Sequence, residues 1–353
     1  MNIKKVAKLA DVSIATISRV VNNKPGVRKD IREKVEQIIR ETHYIPNQMA
    51  RGLVQKKSNV IGLLIPRFDG YYSERAEAVL KVCQQNDYSV MIASAVEEYG
   101  GELESLKLLY EKHIEGLIFF WAHYTPEYKE LIEKISKKIP VIFVDHVDED
   151  LNIPAILQDN YDGARKAMKY LIENGHRRIA FISAPASDKE ARRRYDAYID
   201  TLKELKIDIY EKYIREGTYA IESGFTAMEL ILKETKVLPT AVFAANDNMA
   251  IGAINALKRH GYNVPDDVSI VGFDDIPIAK HFIPALTTVR QDQDAIGTQA
   301  AELLIEYKKN REFRVKKIIL HQELIIRDSV KKINELPPQK KEESKKEESK
   351  KGE

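Results

Sequence analysis

From residue 59 onward the chain alternates short apolar runs with helical stretches, and this alternation limits the possible folds more than any other feature. The apolar runs span residues 59–66, 88–95, 116–122, 140–146, 155–159, 178–184, 240–245 and 268–273. Strands that are apolar along their whole length are typical of parallel sheets covered by helices. The alternation therefore predicts an α/β core of two doubly wound parallel-sheet lobes, with a ligand site in the cleft at the strand ends.

Residues 1–22 follow a different, helical pattern. The apolar positions at helical spacing are Val6, Ala7 and Ala10, followed after a break by Ile17, Val20 and Val21. In the break, Asp11 is a residue type that tolerates a left-handed backbone, and Ser13 can cap a second helix. The pattern predicts an all-α helix-turn-helix headpiece, a motif whose second helix enters the major groove of DNA. An amphipathic hairpin within a larger helical core is the alternative.

The polar side of the second predicted helix carries residue types that contact base edges. Ala15 and Arg19 are four positions apart and share a face, and Ile14 lies at the helix start. An arginine can donate two hydrogen bonds to guanine, whereas isoleucine and alanine offer apolar contact to a thymine methyl. Residues 1–57 also hold 13 Lys and Arg against 5 Asp and Glu, in a chain of net charge +2. This local basic excess favours binding to duplex phosphates.

A third helix is predicted over residues 29–42, and a short further helix capped by Asn47 follows Pro46. Together these segments resemble the DNA-binding headpiece of the lactose/galactose repressor family. The shared motifs are Val6-Ala7, Val12-Ser13, Thr16 to Asn22, Arg32 to Val35, Tyr44 to Asn47, and Ala50 to Leu53. The resemblance adds Ser13, Thr16 and Asn22 to the expected DNA contacts.

By the same resemblance, residues 47–58 form a hinge helix and linker, and the hinge helix orders only on operator DNA. Two such helices, one from each subunit, would lie in the minor groove, with Asn47 at the helix start. Ala50 would permit a close approach to the groove floor, and Leu53 would open the central base step and kink the duplex. Packing of Leu53 on the core domain is the alternative.

Length and composition exclude several classes of protein. The chain has 353 residues, 44% hydrophobic and 31% charged, which is ordinary for a globular protein of more than one domain. It has one cysteine, Cys83, and lacks a bilayer-spanning apolar run and a signal-peptide pattern, so we expect a cytoplasmic protein without membrane contact. Zinc-protease, nucleophile-elbow, phosphate-loop and dinucleotide-binding motifs are lacking. We therefore expect no enzyme activity, no cofactor and no metal site.

Residues 59–329 resemble the periplasmic-binding-protein-like core of the same family. Short matching motifs occur in order along this region, among them Ile61 to Leu64, Gly272 to Asp275 and Pro284 to Val289. Residue-by-residue correspondence implies an effector pocket formed by Tyr72, Asp145, Arg194, Tyr219, Asn246 and Asp274. Carboxylate, guanidinium and amide groups suit the hydroxyls of a sugar, and an aromatic ring suits its apolar face.

Several of these pocket residues have a purely structural alternative. Arg194 and Asp274 could form an ion pair that only supports the fold, and residues 192–194 could be a solvated basic face. Tyr219 could belong to the core. Asn246 could cap the helix that follows it.

The sequence thus predicts a headpiece at 1–46, a hinge and linker at 47–58, a two-lobed effector-binding and dimerisation core at 59–330, and a disordered charged tail at 331–353. The tail repeats Lys-Lys-Glu-Glu-Ser and has no apolar positions for a coiled-coil seam. We therefore expect a homodimer, which matches two operator half-sites.

The resulting hypothesis is a transcriptional repressor that binds a pseudo-palindromic operator and is controlled allosterically by a small molecule, a sugar or sugar derivative. Three alternatives remain open. The first two are control by a phosphoprotein co-repressor, as in the catabolite-control branch of the family, and control by a purine co-repressor. The third is a transport-type sugar-binding protein with the same two-lobed core.

Overall fold

The computed structural model describes residues 2–21, 23–44, 58–68, 70–95, 101–120, 125–145, 150–310, 312–313 and 317–334. The chain divides into two compact units, one formed by Met1–Val60 with His113–Glu115 and the other by the remainder. Four of the predicted DNA-contacting residues lie outside the described residues, namely Asn22, Asn47, Ala50 and Leu53.

The smaller unit contains three helices, α1 (Ile3–Ala10), α2 (Ile14–Val21) and α3 (Lys29–Glu41). Asp11 ends α1 in the left-handed conformation, with φ of 52°. The Ser13 hydroxyl caps α2 by accepting a hydrogen bond from the Thr16 amide. The apolar faces meet in a core of Val6, Ala7, Ala10, Ile17, Val20, Val35 and Tyr44. The helix-turn-helix predicted from residues 1–22 is confirmed.

The larger unit contains two lobes, each built on a six-stranded sheet. The strands of the first lobe are β1 (Val60–Ile65), β2 (Ser89–Ser94), β3 (Gly116–Phe119), β4 (Val141–Val144), β5 (Ala155–Gln158) and β11 (Lys317–Leu320). Its helices are α4 (Gly70–Gln85), α5 (Gly101–Glu111), α6 (Pro126–Ser136) and α11 (Gln293–Asn310). The strand order is β11-β5-β4-β3-β1-β2, and the pairs β1–β3, β3–β4, β4–β5 and β5–β11 are parallel.

The second lobe repeats this arrangement. Its strands are β6 (Ile179–Ser183), β7 (Ile214–Glu216), β8 (Ala241–Ala244), β9 (Ser269–Asp274), β10 (Thr287–Arg290) and β12 (Glu323–Ile325). Its helices are α7 (Asn160–Glu173), α8 (Lys189–Glu204), α9 (Ile221–Glu234) and α10 (Asp247–Arg259). The strand order is β12-β10-β9-β8-β6-β7, and only β12 pairs antiparallel.

All eight predicted strands are present, and the two doubly wound lobes are confirmed. The sequence analysis missed β7, β10, β11 and β12. Each of these strands includes a charged residue, whereas the predicted strands of similar length, β3, β4, β5 and β8, include none. The missed strands therefore lack the continuous apolar run that identified the others. The antiparallel β12 also departs from the purely parallel sheets that we predicted.

The chain passes between the lobes three times, after β5, after β10 and after β11. These crossings place a set of buried polar side chains at the junction of the lobes. The set consists of Gln158, Asn160, Gln291, Gln293 and Gln322. The lobes are therefore joined by hydrogen-bonding residues as well as by backbone.

Helices α9 and α10 pack with their backbones unusually close. A Cβ atom added at Gly252 of α10 would lie 2.0 Å from the carbonyl oxygen of Ile221 and 2.6 Å from the amide nitrogen of Phe225, both in α9. Only glycine fits this crossing.

Residues 331–334, which the sequence analysis assigned to the tail, hydrogen-bond to the second lobe. The Ile333 amide donates to the Asn174 carbonyl at 2.9 Å, and the Lys331 carbonyl accepts from the His176 ring at 3.0 Å. The boundary predicted at residue 331 is therefore too early, because these main-chain groups are paired with the lobe. The rest of the tail lies outside the described residues. None of the described helices is both long and apolar enough to cross a membrane.

Candidate functional site

The exposed face of α2 carries the headpiece residues that the sequence analysis singled out. Ile14 is 45% exposed, Ala15 and Arg19 are also exposed, and Ser13 and Thr16 lie beside them at the helix start. Ile14 is a large apolar side chain in water, which costs free energy unless a partner covers it. The face thus offers one arginine and two apolar side chains, Ile14 and Ala15, to a ligand.

The loop between α2 and α3 is fixed by a side chain from α3. Arg32 donates hydrogen bonds to the Asn23 side-chain oxygen at 3.0 Å and to the Lys24 carbonyl at 2.7 Å. This contact explains why an arginine at position 32 belongs to the motif, since it holds the end of α2 against α3.

A cavity of about 560 Å³ lies between the two lobes of the core. All six residues predicted for the effector pocket line it: Tyr72, Asp145, Arg194, Tyr219, Asn246 and Asp274. The structure therefore brings together side chains that are up to 202 positions apart in the sequence. Further polar lining comes from Arg67, Tyr71, Gln158, Asn160, Ser187, Asp188, Glu190, Asn248 and Gln291.

On the first lobe, Asp145 follows β4 and pairs with Arg75, a fully buried arginine of α4 that the sequence analysis missed. Arg75 also donates to Gln293 at 2.9 Å, and Gln158 donates to the second oxygen of Asp145 at 2.8 Å. Tyr72 stacks on Phe120, with ring centres 6.4 Å apart. Asp145 is thus held rigidly at the cavity wall.

On the second lobe, Arg194 is a buried part of the cavity wall, 5% exposed, whereas its neighbours Arg192 and Arg193 are exposed. A solvated basic face is therefore wrong for Arg194. Its guanidinium lies over the Phe273 ring at 4.0 Å and donates to Asn160 at 2.8 Å. A further hydrogen bond goes to the carbonyl of Ala245.

Asp274 ends β9 with a φ of 110°, an uncommon backbone for a non-glycine residue. Burial raises the pKa of this carboxyl to about 7, although Arg194, 4.0 Å away, acts to lower it. Gln291 donates to Asp274 at 2.9 Å, and the Tyr71 hydroxyl of the first lobe donates to Gln291 at 2.8 Å. This chain of hydrogen bonds joins the two lobes across the cavity.

The N-terminus of α8 supplies two more carboxylates. Asp188 caps the helix by accepting from the amides of Glu190 and Ala191, and it accepts from the Tyr219 hydroxyl at 2.6 Å. Glu190 accepts from the Asn160 amide at 2.7 Å. Burial, and secondly the charge of Asp145, raise the pKa of Glu190 to about 7.

Asn246 caps α10, as one of the alternatives proposed. Its side-chain oxygen accepts from the Met249 amide at 2.9 Å, and its side-chain nitrogen donates to the Tyr219 carbonyl at 3.0 Å. Tyr219 has a φ of 66° and lies at the edge of the second-lobe core. Both residues still line the cavity.

The sequence analysis missed Arg75, Asp188 and Glu190, which shape the cavity. None of them belongs to a motif that stands out in the sequence. Asn160 directly follows the strand predicted at residues 155–159, and a position after a parallel strand is a signal for a ligand site.

Comparisons with known proteins extend over both units. Residues 2–47 match the family described as bacterial regulatory proteins, lacI family, and residues 168–330 match the periplasmic binding protein-like domain. The chain is 32% identical over 332 residues to the HTH-type transcriptional repressor PurR of Mannheimia succiniciproducens, covering 94% of this chain and 99% of that protein.

Two solved structures are similar to this chain over nearly its whole length. The crystal structure of the Lac repressor dimer bound to operator and the anti-inducer ONPF has a TM-score of 0.84 at 29% identity, covering 94% of this chain and 99% of that chain. The transcriptional regulator CelR in complex with cellobiose has a TM-score of 0.69 at 26% identity, covering 93% and 99%. The predicted DNA-binding regulator is thereby confirmed. The chain belongs to the lacI family of bacterial regulatory proteins, and it is a transcriptional regulator with a helix-turn-helix headpiece and a two-lobed core.

Proposed function

We propose that this regulator is a cytoplasmic repressor that binds a pseudo-palindromic operator as a homodimer, under the allosteric control of a small molecule. The observation that carries the proposal is the likeness, over 94% of the chain, to a Lac repressor dimer bound to operator and to a small ligand. A two-fold symmetric dimer presents two recognition helices, which match two half-sites. The protein acts by binding and not as an enzyme.

The operator is contacted by the exposed face of α2. Arg19 donates to a guanine edge, and Ile14 and Ala15 contact thymine methyl groups. Ser13, Thr16 and Asn22 are the further DNA contacts that we propose for the headpiece. Asn47, Ala50 and Leu53 belong to the hinge, where Leu53 wedges into the central base step.

The effector is a sugar or sugar derivative bound between the lobes. The cavity of about 560 Å³ has the size of small-molecule sites. Its wall combines the carboxylate of Asp274, the guanidinium of Arg194 and the amide of Asn160 with the rings of Tyr72 and Tyr219. Such a wall suits a ligand with many hydroxyls and an apolar ring face. The similar regulator CelR was solved with a sugar, cellobiose.

The proposal is tested with the full-length protein in two steps. Binding sites are first selected from a random duplex pool, and affinity for the selected site is then measured by fluorescence anisotropy with sugars, sugar phosphates and purine bases. We expect a palindromic site and a ligand that changes the affinity by about 5–150-fold, the usual range of allosteric coupling. Equal affinity for the selected site and for random duplex at moderate ionic strength, with every ligand, would refute the proposal that the protein binds a specific operator. A response to purine bases alone would refute the proposal that the effector is a sugar.

Two variants test the assigned residues. Leu53→Ala should bind the operator more weakly and bend it less, as measured by anisotropy and by the mobility of circularly permuted fragments. Arg194→Ala should lose the response to the effector, whereas Arg192→Ala, exposed on the same helix, should keep it. A full response in Arg194→Ala would remove Arg194 from the pocket.

A further inference from the structure

The cavity wall has more carboxyl groups than guanidinium groups. Its acidic residues are Asp145, Asp188, Glu190 and Asp274, and its arginines are Arg67 and Arg194. Arg75 lies behind the wall and adds a third positive charge. The described residues in and behind the wall therefore include four carboxyl groups and three guanidinium groups.

Three of these carboxylates have strong partners. Asp145 is paired with Arg75, and Asp274 lies 4.0 Å from Arg194. Asp188 accepts hydrogen bonds from two helix amides and from the Tyr219 hydroxyl. Each of these groups is thus contacted by a cation, by a helix N-terminus or by donated hydrogen bonds, although burial still raises the pKa of Asp274 to about 7.

Among the described carboxyl groups of the cavity, Glu190 is the one that forms neither an ion pair nor a helix-capping hydrogen bond. Its hydrogen bond within the described residues comes from a neutral amide, that of Asn160. Burial, and secondly charge repulsion by Asp145 of the other lobe, raise the pKa of Glu190, while the hydrogen bond from Asn160 and the charges of Arg194 and Arg193 act in the opposite sense. Two carboxyl groups that interact electrostatically, one from each lobe, thus line the same cavity.

We propose, building on the proposed effector function, that the effector carries a positively charged amino group, and that Glu190 and Asp145 bind this group from opposite lobes. The effector class is then an amino sugar. An ammonium group has three donors, enough to bridge both carboxylates, and its bonds to anions are about twice as strong as neutral ones. A neutral sugar leaves the repulsion between the carboxylates in place, and a sugar phosphate adds to it.

Titration calorimetry on the operator-free protein tests this directly. The probes are glucosamine, galactosamine and mannosamine, each compared with its parent hexose, its N-acetyl derivative and its 6-phosphate. One hexosamine should bind at least tenfold more tightly than the matching uncharged sugars, equivalent to about 1.4 kcal/mol. Equal or tighter binding of a parent hexose or an N-acetyl derivative overturns the proposal, as does the failure of every hexosamine to bind.

The role of Glu190 is tested with Glu190→Gln and a matched control, Glu173→Gln, which removes an exposed charge from α7. The preference for the hexosamine should disappear in Glu190→Gln and persist in Glu173→Gln. Because the pKa of Glu190 is about 7, this carboxyl is about half protonated at pH 7 and should lose its proton when the ammonium group binds. On binding the hexosamine at pH 7, the wild type should therefore release about half a proton more than Glu190→Gln. Calorimetry in buffers of different ionisation enthalpy measures this difference. A preference that survives in Glu190→Gln overturns the assignment.

These results are independent of the operator experiments. Hexosamine binding by a protein that shows no operator preference would contradict the proposed function but support this inference. Operator binding that responds only to uncharged sugars would support the proposed function and overturn this inference.

Discussion

Replacing Arg75 with methionine should destabilise the core by about 3–5 kcal/mol, a large part of the 5–15 kcal/mol that is typical of a folded domain. The guanidinium is fully buried and pairs with Asp145, which is itself only 9% exposed. It also lies 5.1 Å from the ring centre of Tyr71 and 5.2 Å from that of Phe120. Methionine fills much of the same apolar volume but leaves the Asp145 charge without its partner, and that isolated charge is the main cost.

The measurement is urea denaturation followed by far-ultraviolet circular dichroism, with Asp145→Asn as the second arm of a double-mutant cycle. The double variant should be more stable than Arg75→Met, because the isolated charge is gone. Arg192→Met is the control, since the exposed pair with Asp196 is worth less than about 1 kcal/mol. The reasoning would be refuted if Arg75→Met lowered the free energy of unfolding by less than about 1 kcal/mol, or if the double variant were no more stable than Arg75→Met.

Three further predictions concern other parts of the molecule. Arg19→Ala should weaken binding to the selected operator by about 1–3 kcal/mol and binding to a scrambled duplex by less, while Arg40→Ala on α3 should weaken binding to both duplexes alike. An equal loss of binding free energy on both duplexes in Arg19→Ala would contradict base readout by Arg19. Gly252→Ala should lower the free energy of unfolding by about 1–3 kcal/mol through overpacking, and with it the melting temperature. Gly70→Ala is the control, because its new Cβ would have no atoms within 4 Å and should change the melting temperature little. Equal melting temperatures of the two variants would argue against the close crossing of α9 and α10. The pKa of Asp274 is raised from 3.8 to about 7, so the native state binds a proton that the unfolded chain releases, and its contribution to stability should fall as the pH rises from about 4 to 7. Asp274→Asn should flatten the profile of unfolding free energy against pH, and an unchanged profile would refute the assignment.

The headpiece could be predicted in detail because its determinants are close together in the chain. Ser13 caps α2 through a residue three positions away, and Asp11 forms the turn with its own backbone. Such contacts depend on residue type and spacing, both of which can be read directly.

The cavity could be predicted only in part. The resemblance to a family supplied Arg194 and Asp274, but Arg75 and Glu190 have partners 70 and 30 positions away, and no local pattern connects them. Their pairing is created by the fold, which brings strand ends and helix starts together at one junction. A buried arginine in α4 is indistinguishable in the sequence from an exposed one.

Residues with two plausible roles were the hardest to assign. Asn246 was proposed either as a ligand contact or as a helix cap, and the structure shows the cap while leaving the side chain on the cavity wall.

The short strand β10, Thr-Thr-Val-Arg, is mostly polar and lacks the apolar run that identified the eight predicted strands. Its place in the sheet is set by β9 beside it.

The three crossings also mean that neither lobe is made from one continuous piece of polypeptide. Ile296, Ala300 and Leu304 of α11 complete the first-lobe core, although the sheet they cover begins more than 200 residues earlier. On the ribosome, residues 60–158 therefore emerge long before the helix that shields them. A nascent chain stalled before residue 293 would expose this apolar surface to other chains and to chaperones, so premature termination should yield aggregates and no functional single lobe.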